Sequence, residues 1–188
     1  MKISFHTLGC KVNYAETQHI QEKFEKMGYE VTEFGNPSDV ILINTCTVTN
    51  NADSEAGKLI RRARRNSPNA FLGVFGCFAQ LKPEEILSNL PVDAVFGQKE
   101  KFLIPNLVNE MLNGNATQNN VSCIDELKFD AALTSDNTER TRAFLKMQDG
   151  CNYKCTFCTI PLARGKSRSM PLEEISEYFN KIVESGYK

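Results

Sequence analysis

Three cysteines with close, unequal spacing lie in the segment of residues 149–158. Cys151, Cys155 and Cys158 are separated by four and three positions, so their thiolates can hold three corners of a cubane iron–sulfur cluster and leave the fourth iron open to a small molecule. A closed zinc site needs a fourth ligand, usually from a second Cys-x2-Cys hook, and no cysteine follows Cys158. The pattern therefore favours an iron–sulfur cluster, with an incomplete zinc hook or buried structural thiols as the alternatives.

Upstream of this loop, short apolar runs alternate with segments of helical periodicity. We predict strands at residues 3–8, 30–34, 40–44, 71–75 and 94–96 and helices at residues 14–27, 53–65, 83–89 and 101–112. The run at residues 40–44 has no polar alternation, which is typical of a strand buried on both faces of a parallel sheet. Asn13 is the predicted N-cap of the first helix. The alternation predicts a doubly wound α/β domain with a parallel, flavodoxin-like sheet.

Three other cysteines follow the first, third and fourth predicted strands by one or two residues. They are Cys10, Cys46 and Cys77. In the flavodoxin-like order 2-1-3-4-5 these strands are neighbours, and ligands of open α/β sheets gather at the carboxyl ends of the strands. The three thiols are therefore expected to converge on one edge of the sheet. The alternative is that each is a small buried hydrophobe; Cys123 has no comparable setting and is assigned no role.

The composition changes between the α/β domain and the cysteine loop. Residues 1–114 form the predicted α/β domain. Residues 115–140 are rich in Asn, Ser, Thr, Gln and Asp and form a predicted linker with one short strand near residues 121–124. Residues 141–188 form the predicted second unit, with a strand at residues 143–147, the cysteine loop and a helix at residues 171–185.

The overall composition is that of an ordinary globular protein, with 188 residues, 41% of them hydrophobic and 24% charged. The net charge of -1 means that any nucleic-acid contact must use a local basic patch. No window approaches the ~18 apolar residues of a membrane span, and His6 and Lys11 interrupt the apolar start, unlike a signal peptide. A cytoplasmic location is expected, where clustered cysteines indicate metal or redox chemistry rather than disulfides.

Four motifs together resemble the radical S-adenosylmethionine (SAM) methylthiotransferases that modify tRNA and ribosomal protein. The motifs are Thr7-Leu8-Gly9-Cys10-Lys11-Val12-Asn13, Asn44-Thr45-Cys46-Thr47-Val48-Thr49, Gly76-Cys77 and the loop with Cys151, Cys155 and Cys158. The fuller run at residues 44–52, followed by Ile60-Arg61-Arg62-Ala63-Arg64-Arg65, is most similar to the branch that acts on threonylcarbamoyladenosine in tRNA.

The resemblance implies two [4Fe–4S] clusters. The expected ligands are Cys10, Cys46 and Cys77 for an auxiliary cluster and Cys151, Cys155 and Cys158 for the cluster that binds SAM. It further implies tRNA as substrate, a methylthio group added to C2 of the modified adenosine at position 37, and an electron donor of the flavodoxin or ferredoxin type. A C–H bond on an aromatic ring is too inert for acid–base chemistry, so the cofactors carry the hard step.

A stripe of cations on the second predicted helix is a candidate tRNA contact. Lys58, Arg61, Arg62 and Arg65 recur at helical spacing opposite the apolar face. Such a stripe can grip phosphates, although a solvated helix face is the commoner meaning of a charge run.

Residues around the loop are candidate SAM contacts. Arg164, Lys166 and Arg168 follow the loop closely, and Arg164 is the predicted partner of the SAM carboxylate or of a tRNA phosphate. Phe157 is expected to pack on the adenine of SAM or to cover the cluster.

The second unit is short for the partial (β/α) barrel that the resemblance implies, because such barrels need at least ~30 residues per βα unit. We expect the chain to be the N-terminal part of a longer enzyme, with the first βα unit of the barrel and no turnover on its own. The competing interpretations are the ribosomal-protein or isopentenyladenosine-tRNA branches of the family, and a non-catalytic iron–sulfur or zinc carrier.

Overall fold

A six-stranded parallel sheet forms the centre of the computed structural model, which describes residues 1–47, 50–114, 118–124, 127–133 and 143–187. The strands are β1 (Lys2–Thr7), β2 (Glu30–Thr32), β3 (Val40–Thr45), β4 (Phe71–Gly76), β5 (Ala94–Phe96) and β6 (Asn119–Asn120). Their spatial order is β2-β1-β3-β4-β5-β6. The predicted α/β fold, with a doubly wound parallel sheet, is confirmed.

Helices cover both faces of this sheet. They are α1 (Lys11–Lys26), α2 (Asn50–Asn66), α3 (Cys77–Leu81), α4 (Pro83–Asn89) and α5 (Ile104–Leu112), the last preceded by a 3-10 turn at Lys101–Leu103. One core contains Ile20 and Phe24 of α1 with residues of α5, and the other contains Ala56 and Ile60 of α2 with residues of α3 and α4. The chain thus places α1 and α5 on one side and α2, α3 and α4 on the other.

Strand β3 explains why both cores exist. Val40 and Leu42 belong to the core under α1, whereas Ile41 and Ile43 belong to the core under α2. All four side chains are almost fully buried. Successive side chains of a strand point to opposite faces, so a continuous apolar run is what a sheet covered on both sides requires.

The second part of the chain consists of short strands, one short helix and one longer helix. They are β7 (Ala132–Leu133), β8 (Leu145–Lys146), β9 (Gln148–Asp149), α6 (Ile160–Arg164), β10 (Arg168–Ser169) and α7 (Leu172–Glu184). Strand β7 pairs with β8, and β9 pairs with β10, both antiparallel. Strands β7 and β8 contact α1, and α6 contacts α3. In the described residues of α7 no side chain is buried.

Several predicted elements differ from the structure. Of the strand predicted at residues 143–147 only the two residues of β8 form a strand; β9 begins just after the predicted segment, and β7 lies inside the predicted linker. The strand predicted at residues 121–124 is absent, and β6 lies just before it. There the Ser122 carbonyl accepts from the Gln80 amide at 3.1 Å, and the Ser122 N–H donates to the Glu100 carboxylate at 3.4 Å. Side chains therefore occupy backbone groups that a strand would use in a ladder. The domain boundaries stay predictions.

The first helix also starts earlier than predicted. Helix α1 begins at Lys11, with Cys10 as its N-cap residue, so the prediction that Asn13 caps it is wrong. The Asn13 side chain instead donates to the carbonyls of Leu8 and Thr45, at 2.9 and 3.2 Å. It is buried and joins the end of β1 to the end of β3. Helix α3 was not predicted, because five residues are too few to show a helical period.

The helices were compared with the length and apolar character of a membrane span. Among the helices that the structure describes, none combines the length and the apolar character that a span would need.

Gly76 is the residue whose backbone leads from β4 directly to Cys77. Its φ is +99°, and a Cβ at this position would collide with the Asn44 side-chain oxygen and the Thr45 carbonyl. We expect Gly76→Ala to lower the free energy of unfolding by about 2–4 kcal/mol, because a left-handed conformation and a backbone clash both penalise it. Urea denaturation followed by circular dichroism measures the change.

Gly57 in α2 provides the matched control. A Cβ there would meet only the end of the Arg61 side chain at 3.2 Å and the Leu90 side chain at 3.6 Å. Alanine is favoured over glycine inside a helix by about 1 kcal/mol, so Gly57→Ala is expected to leave stability unchanged or slightly raised. Equal losses in the two variants would contradict the argument about Gly76.

Candidate iron–sulfur and SAM site

The first three cysteines lie at the carboxyl edge of the sheet. Cys10 precedes α1, Cys46 directly follows β3 and Cys77 directly follows β4, and strands β1, β3 and β4 are neighbours. Cys46 and Cys77 are buried, whereas Cys10 is exposed. A Cβ built on Gly9 would lie 3.0 Å from the Cys46 sulfur. The turn after β1 can therefore approach Cys46 this closely only because residue 9 is a glycine.

Polar side chains fix this edge from inside. The Asn44 amide donates to the Asn13 carbonyl at 2.9 Å, and the Thr45 hydroxyl donates to the Phe75 carbonyl at 2.6 Å. The Cys10 thiol lies 3.8 Å from the Asn13 side-chain oxygen. Together with the bonds from the Asn13 amide to Leu8 and Thr45, these bonds join the ends of β1, β3 and β4. The backbone next to each cysteine is therefore held in place relative to the neighbouring strand ends.

The second group of cysteines lies in the loop between β9 and α6. The Cys151 N–H donates to the Gly165 carbonyl and the Cys158 N–H donates to the Cys155 carbonyl, both at 3.1 Å. Cys155 is exposed, and Cys151 and Cys158 are half-buried. The Phe157 ring is 88% exposed, so it contributes to the loop's surface rather than to a core. Its predicted contact with SAM or a cluster stays a prediction.

Thiol groups in these two places fit iron in their chemistry, since thiolates are the usual ligands of iron–sulfur clusters. As the side chains stand, however, no three His, Cys, Asp or Glu side chains of the described residues are arranged to hold a metal ion. The assignment of Cys10, Cys46 and Cys77 to one cluster, and of the loop cysteines to another, therefore stays a prediction.

The structure gives Arg164 partners other than those predicted. The guanidinium is buried and binds both carboxylate oxygens of Glu16, at 3.0 and 3.1 Å. It also donates to Asp149 at 2.9 Å and to the Asn13 side-chain oxygen at 2.6 Å. In the structure these donors point at protein acceptors in a closed environment, and the prediction that Arg164 binds SAM or phosphate stays a prediction.

Arg168 is likewise turned inward. It donates to the carbonyls of Arg164 and Lys166, at 2.8 and 2.6 Å, and its guanidinium lies 3.6 Å from Asp149. Of the three cations that follow the loop, only Lys166 is exposed.

Arg164 belongs to a group of charged side chains that we call the buried ion cluster. Its members, each no more than 5% exposed, are Glu16, Lys101, Lys146, Asp149 and Arg164. The Lys101 and Lys146 ammonium groups lie 2.7 and 3.0 Å from Glu16 and 3.3 and 3.2 Å from Asp149. The members come from α1, the 3-10 turn, β8, β9 and α6, so the cluster joins the two parts of the chain.

Electrostatics keeps the two acids of the cluster ionised. Burial alone would raise the pKa of the Glu16 carboxyl, but the charges of Lys101, Arg164 and Lys146 outweigh it and hold that pKa well below its ordinary range. The same balance lowers the pKa of Asp149. Burial raises the pKa of the Cys77 thiol, and the nearby Arg164 charge and hydrogen bond act against that rise.

The predicted cation stripe on α2 is exposed as expected. Lys58, Arg61, Arg62 and Arg65 all face solvent, and none of them forms an ion pair with another residue that the structure describes. Arg64 on the same helix differs: it binds Asp93 at 2.6 Å and the carbonyls of Pro68, Ala70 and Pro91. The helical period thus separates one arginine with protein partners from four solvent-exposed cations.

Comparison with known proteins identifies the family. Residues 2–97 match the profile of a family described as "Uncharacterized protein family UPF0004". The chain belongs to this family. Its resemblance to the methylthiotransferases, predicted above from four motifs, is confirmed by named relatives that match nearly the whole UPF0004 chain.

Three of these relatives represent three methylthiotransferase activities. The threonylcarbamoyladenosine tRNA methylthiotransferase MtaB of Bacillus subtilis is 42% identical over 187 residues, which are 99% of this chain and 42% of the relative. The tRNA-2-methylthio-N(6)-dimethylallyladenosine synthase of Fusobacterium nucleatum is 37% identical over 100% of this chain and 43% of the relative. The ribosomal protein uS12 methylthiotransferase RimO of Caldicellulosiruptor saccharolyticus is 33% identical over 100% and 44%. The UPF0004 chain thus spans less than half of each relative.

No sequence motif predicted the buried ion cluster of this UPF0004 chain. One local signal existed: Glu16 precedes Ile20 and Phe24 by four and eight positions, which places it on the apolar face of α1. An acid on that face needs a buried cationic partner. The partners lie 85 to 148 positions away along the chain, so the sequence alone could not name them.

Replacing the central acid tests the energetic weight of the cluster. Glu16→Gln keeps the shape but leaves Lys101, Lys146 and Arg164 facing one another without their shared carboxylate. We expect the free energy of unfolding to fall by about 3–5 kcal/mol, measured by urea denaturation at neutral pH. Glu25→Gln, at an exposed position of the same helix, is expected to cost less than about 0.5 kcal/mol. Similar losses of unfolding free energy in both variants would contradict this prediction.

The same carboxylate predicts a pH dependence. A carboxyl whose pKa is lower in the folded chain contributes stability above its unfolded value, near 4.5, and that contribution is lost as pH falls through the folded value. Wild-type stability is therefore expected to decrease steeply below about pH 5. The decrease should be shallower in Glu16→Gln and unchanged in Glu25→Gln, as measured by thermal unfolding between neutral and acidic pH.

Proposed function

We propose that this chain provides the two cysteine groups of a tRNA methylthiotransferase, which transfers a methylthio group to C2 of N6-threonylcarbamoyladenosine at position 37. The observation that supports the proposal is the placement of Cys10, Cys46 and Cys77 just beyond the carboxyl ends of three neighbouring strands. The 42% identity to the Bacillus subtilis enzyme favours this branch over the ribosomal-protein branch, where the identity is 33%.

The cofactors of the proposed reaction are two [4Fe–4S] clusters and SAM. In this assignment Cys10, Cys46 and Cys77 hold one cluster and Cys151, Cys155 and Cys158 hold the other. When bound, the second cluster and SAM supply the one-electron chemistry that a C–H bond on an aromatic ring requires. An electron donor of the flavodoxin or ferredoxin type belongs to the same proposal, as does a cytoplasmic location.

The protein's own side chains provide placement and shielding. Cys46 and Cys77 are buried, and Phe75 and Phe78 beside Cys77 are also buried, so two of the three cysteines of the first site are shielded from water, while Cys10 is exposed. Low-potential centres need such shielding. The loop with Cys155 is exposed, so it leaves room for SAM to approach. Because the chain spans 42% of its Bacillus relative, we assign the activity to an enzyme that contains this chain and expect no turnover from these 188 residues alone.

The cation stripe on α2 is the proposed tRNA contact. The helix starts at the carboxyl edge of the sheet, just beyond Cys46, and runs away from it for 17 residues, which is about 25 Å at 1.5 Å per residue. Lys58, Arg61, Arg62 and Arg65 therefore extend from the middle of the helix to its far end. A stripe in this position suits the backbone of an RNA whose modified base reaches the cysteine edge.

Metal content tests the two cluster assignments separately. After anaerobic reconstitution we expect about eight iron and eight sulfide per chain, as two [4Fe–4S] clusters require. Cys10→Ala and Cys155→Ala should each reduce the content to about four. Both residues are exposed, so neither change should disturb a core. Cys123→Ala is the control and should retain about eight. Four in the unchanged chain, or zinc in place of iron, would support a carrier or structural role instead.

Salt dependence tests the proposed tRNA contact. Arg61→Ala combined with Arg65→Ala removes two cations, so tRNA binding should weaken and the slope of log K against log[salt] should fall by about one to two. Lys2→Ala combined with Lys26→Ala removes the same charge from exposed positions outside the stripe, and should change neither. Fluorescence anisotropy with labelled tRNA at several salt concentrations measures both quantities. Identical effects of the two double variants would mean that the stripe is only a solvated face.

The tRNA and ribosomal-protein branches can be separated with the enzyme that contains this chain. Incubation with both tRNA and the ribosomal protein should place sulfur on the tRNA alone, detected by mass spectrometry of nucleosides and peptides. Sulfur on the protein would overturn the branch assignment but not the family.

A further inference from the structure

The buried ion cluster connects the two cysteine groups, although it contains none of the cysteines. We propose that Arg164 is a positioning residue which, through Glu16, Asn13 and Asp149, holds the Cys151–Cys158 loop at a fixed place against the edge that carries Cys10, Cys46 and Cys77. The inference rests on the proposed function only for its purpose, which is to set the distance between two reactive centres.

On one side, Arg164 is bound to the sheet edge. It makes a two-pronged pair with Glu16 and a 2.6 Å hydrogen bond to the Asn13 side-chain oxygen. The Asn13 amide in turn donates to the carbonyls of Leu8 and Thr45, which lie two residues before Cys10 and directly before Cys46. In addition α6, which ends in Arg164, packs on α3, which starts at Cys77.

On the other side, Arg164 contacts the segment that leads into the cysteine loop. Its guanidinium donates to the Asp149 carboxylate at 2.9 Å, and that carboxylate oxygen accepts from the Gly150 N–H at 2.9 Å. Cys151 comes next, and its N–H donates to the carbonyl of Gly165, the residue after Arg164. The segment before the first loop cysteine is thus bound by the Arg164 side chain, and a backbone bond joins Cys151 to the residue that follows Arg164.

The contact between Arg164 and Glu16 fixes the position of the loop because the pair is charged and its hydrogen bonds are directional. Apolar faces tolerate small sliding movements, whereas the bidentate pair between a guanidinium and a carboxylate has one preferred geometry. Any shift of the loop relative to α1 would leave buried charges without partners, which is costly. Lys101 and Lys146 add a further restraint, because each contacts both Glu16 and Asp149.

Hydrogen exchange of the metal-free chain tests the positioning role without any cofactor. In Arg164→Lys the positive charge remains, but the two-pronged pair with Glu16 cannot form. We expect amides in residues 148–170 to exchange at least tenfold faster, while amides of β3 and β4 keep their wild-type rates. Glu16→Gln, on the opposite side of the contact, should accelerate the same segment more than β3 and β4, whose exchange reports its loss of global stability. Glu25→Gln on the outer side of α1 serves as the control and should leave it unchanged.

Two outcomes of this experiment would overturn the proposal. Unchanged exchange in residues 148–170 of Arg164→Lys would mean that the loop is held by other contacts. Equal acceleration in residues 148–170 and in β3 and β4 would mean that Arg164 only stabilises the whole fold. Neither outcome depends on iron, so failure here is distinct from failure of the proposed function.

Electron paramagnetic resonance of the reconstituted, reduced chain tests the consequence for the two centres. In Arg164→Lys the iron content should remain that of the unchanged chain, because no cysteine is altered. The spin–spin interaction between the two centres, observed as line broadening and faster relaxation, should change because their separation is no longer fixed. An unaltered interaction with full iron content would contradict the positioning role.

Discussion

The parallel register of β1, β3 and β4 is the constraint on which the rest of this structure depends. In this register Thr7 lies beside Asn44, and Thr45 lies beside Gly76, so three strands end at nearly the same height. Residues that follow them directly must therefore share one edge, however far apart they are in sequence. Cys46 and Cys77 reach this edge because they follow β3 and β4 directly, whereas Cys10 reaches it through the turn at Gly9, three residues after β1.

At this edge, neighbouring backbone segments lie close together because the residues there are small or polar. Apolar side-chain packing plays a smaller part. Gly9 and Gly76 both have positive φ, and at both positions a Cβ would overlap neighbouring atoms. Asn13 and Thr45 donate to carbonyls at or next to the strand ends, and Asn44 donates to the Asn13 carbonyl in α1. Buried backbone groups must be paired, so an edge prepared for a ligand is also an edge rich in side-chain amides. That combination of glycine and asparagine next to cysteine is visible in the sequence motifs.

The parts of the fold set by local pattern could be predicted from sequence, and the parts set by distant partners could not. Strand β3 has a continuous apolar run, and α4 and β5 have clear boundaries, so their positions follow from the chain alone. Arg164 lies in a polar stretch beside Gly165, where an arginine ordinarily faces solvent or an anion. Its burial depends on Glu16, 148 residues earlier, and no local period reports such a pairing. The division of residues 143–149 into β8 and β9 has the same cause, since each strand is defined by a different partner.

The contrast between Arg61 and Arg164 shows how one residue type takes opposite roles in the same chain. Arg61 lies opposite Ala56 and Ile60 on a helix whose apolar face is already buried, so its charge remains in water and available to a phosphate. Arg164 ends a short helix that packs on α3 next to the sheet edge. The cost of removing its guanidinium from water is offset there by two carboxylates and an amide oxygen. A solvated cation can attract an anionic ligand, and salt screens that attraction. A buried cation fixes the positions of its protein partners, and salt screens those contacts much less. The proposed function would use both kinds: exposed cations on one helix for RNA, and a buried cation elsewhere to align the two cysteine groups.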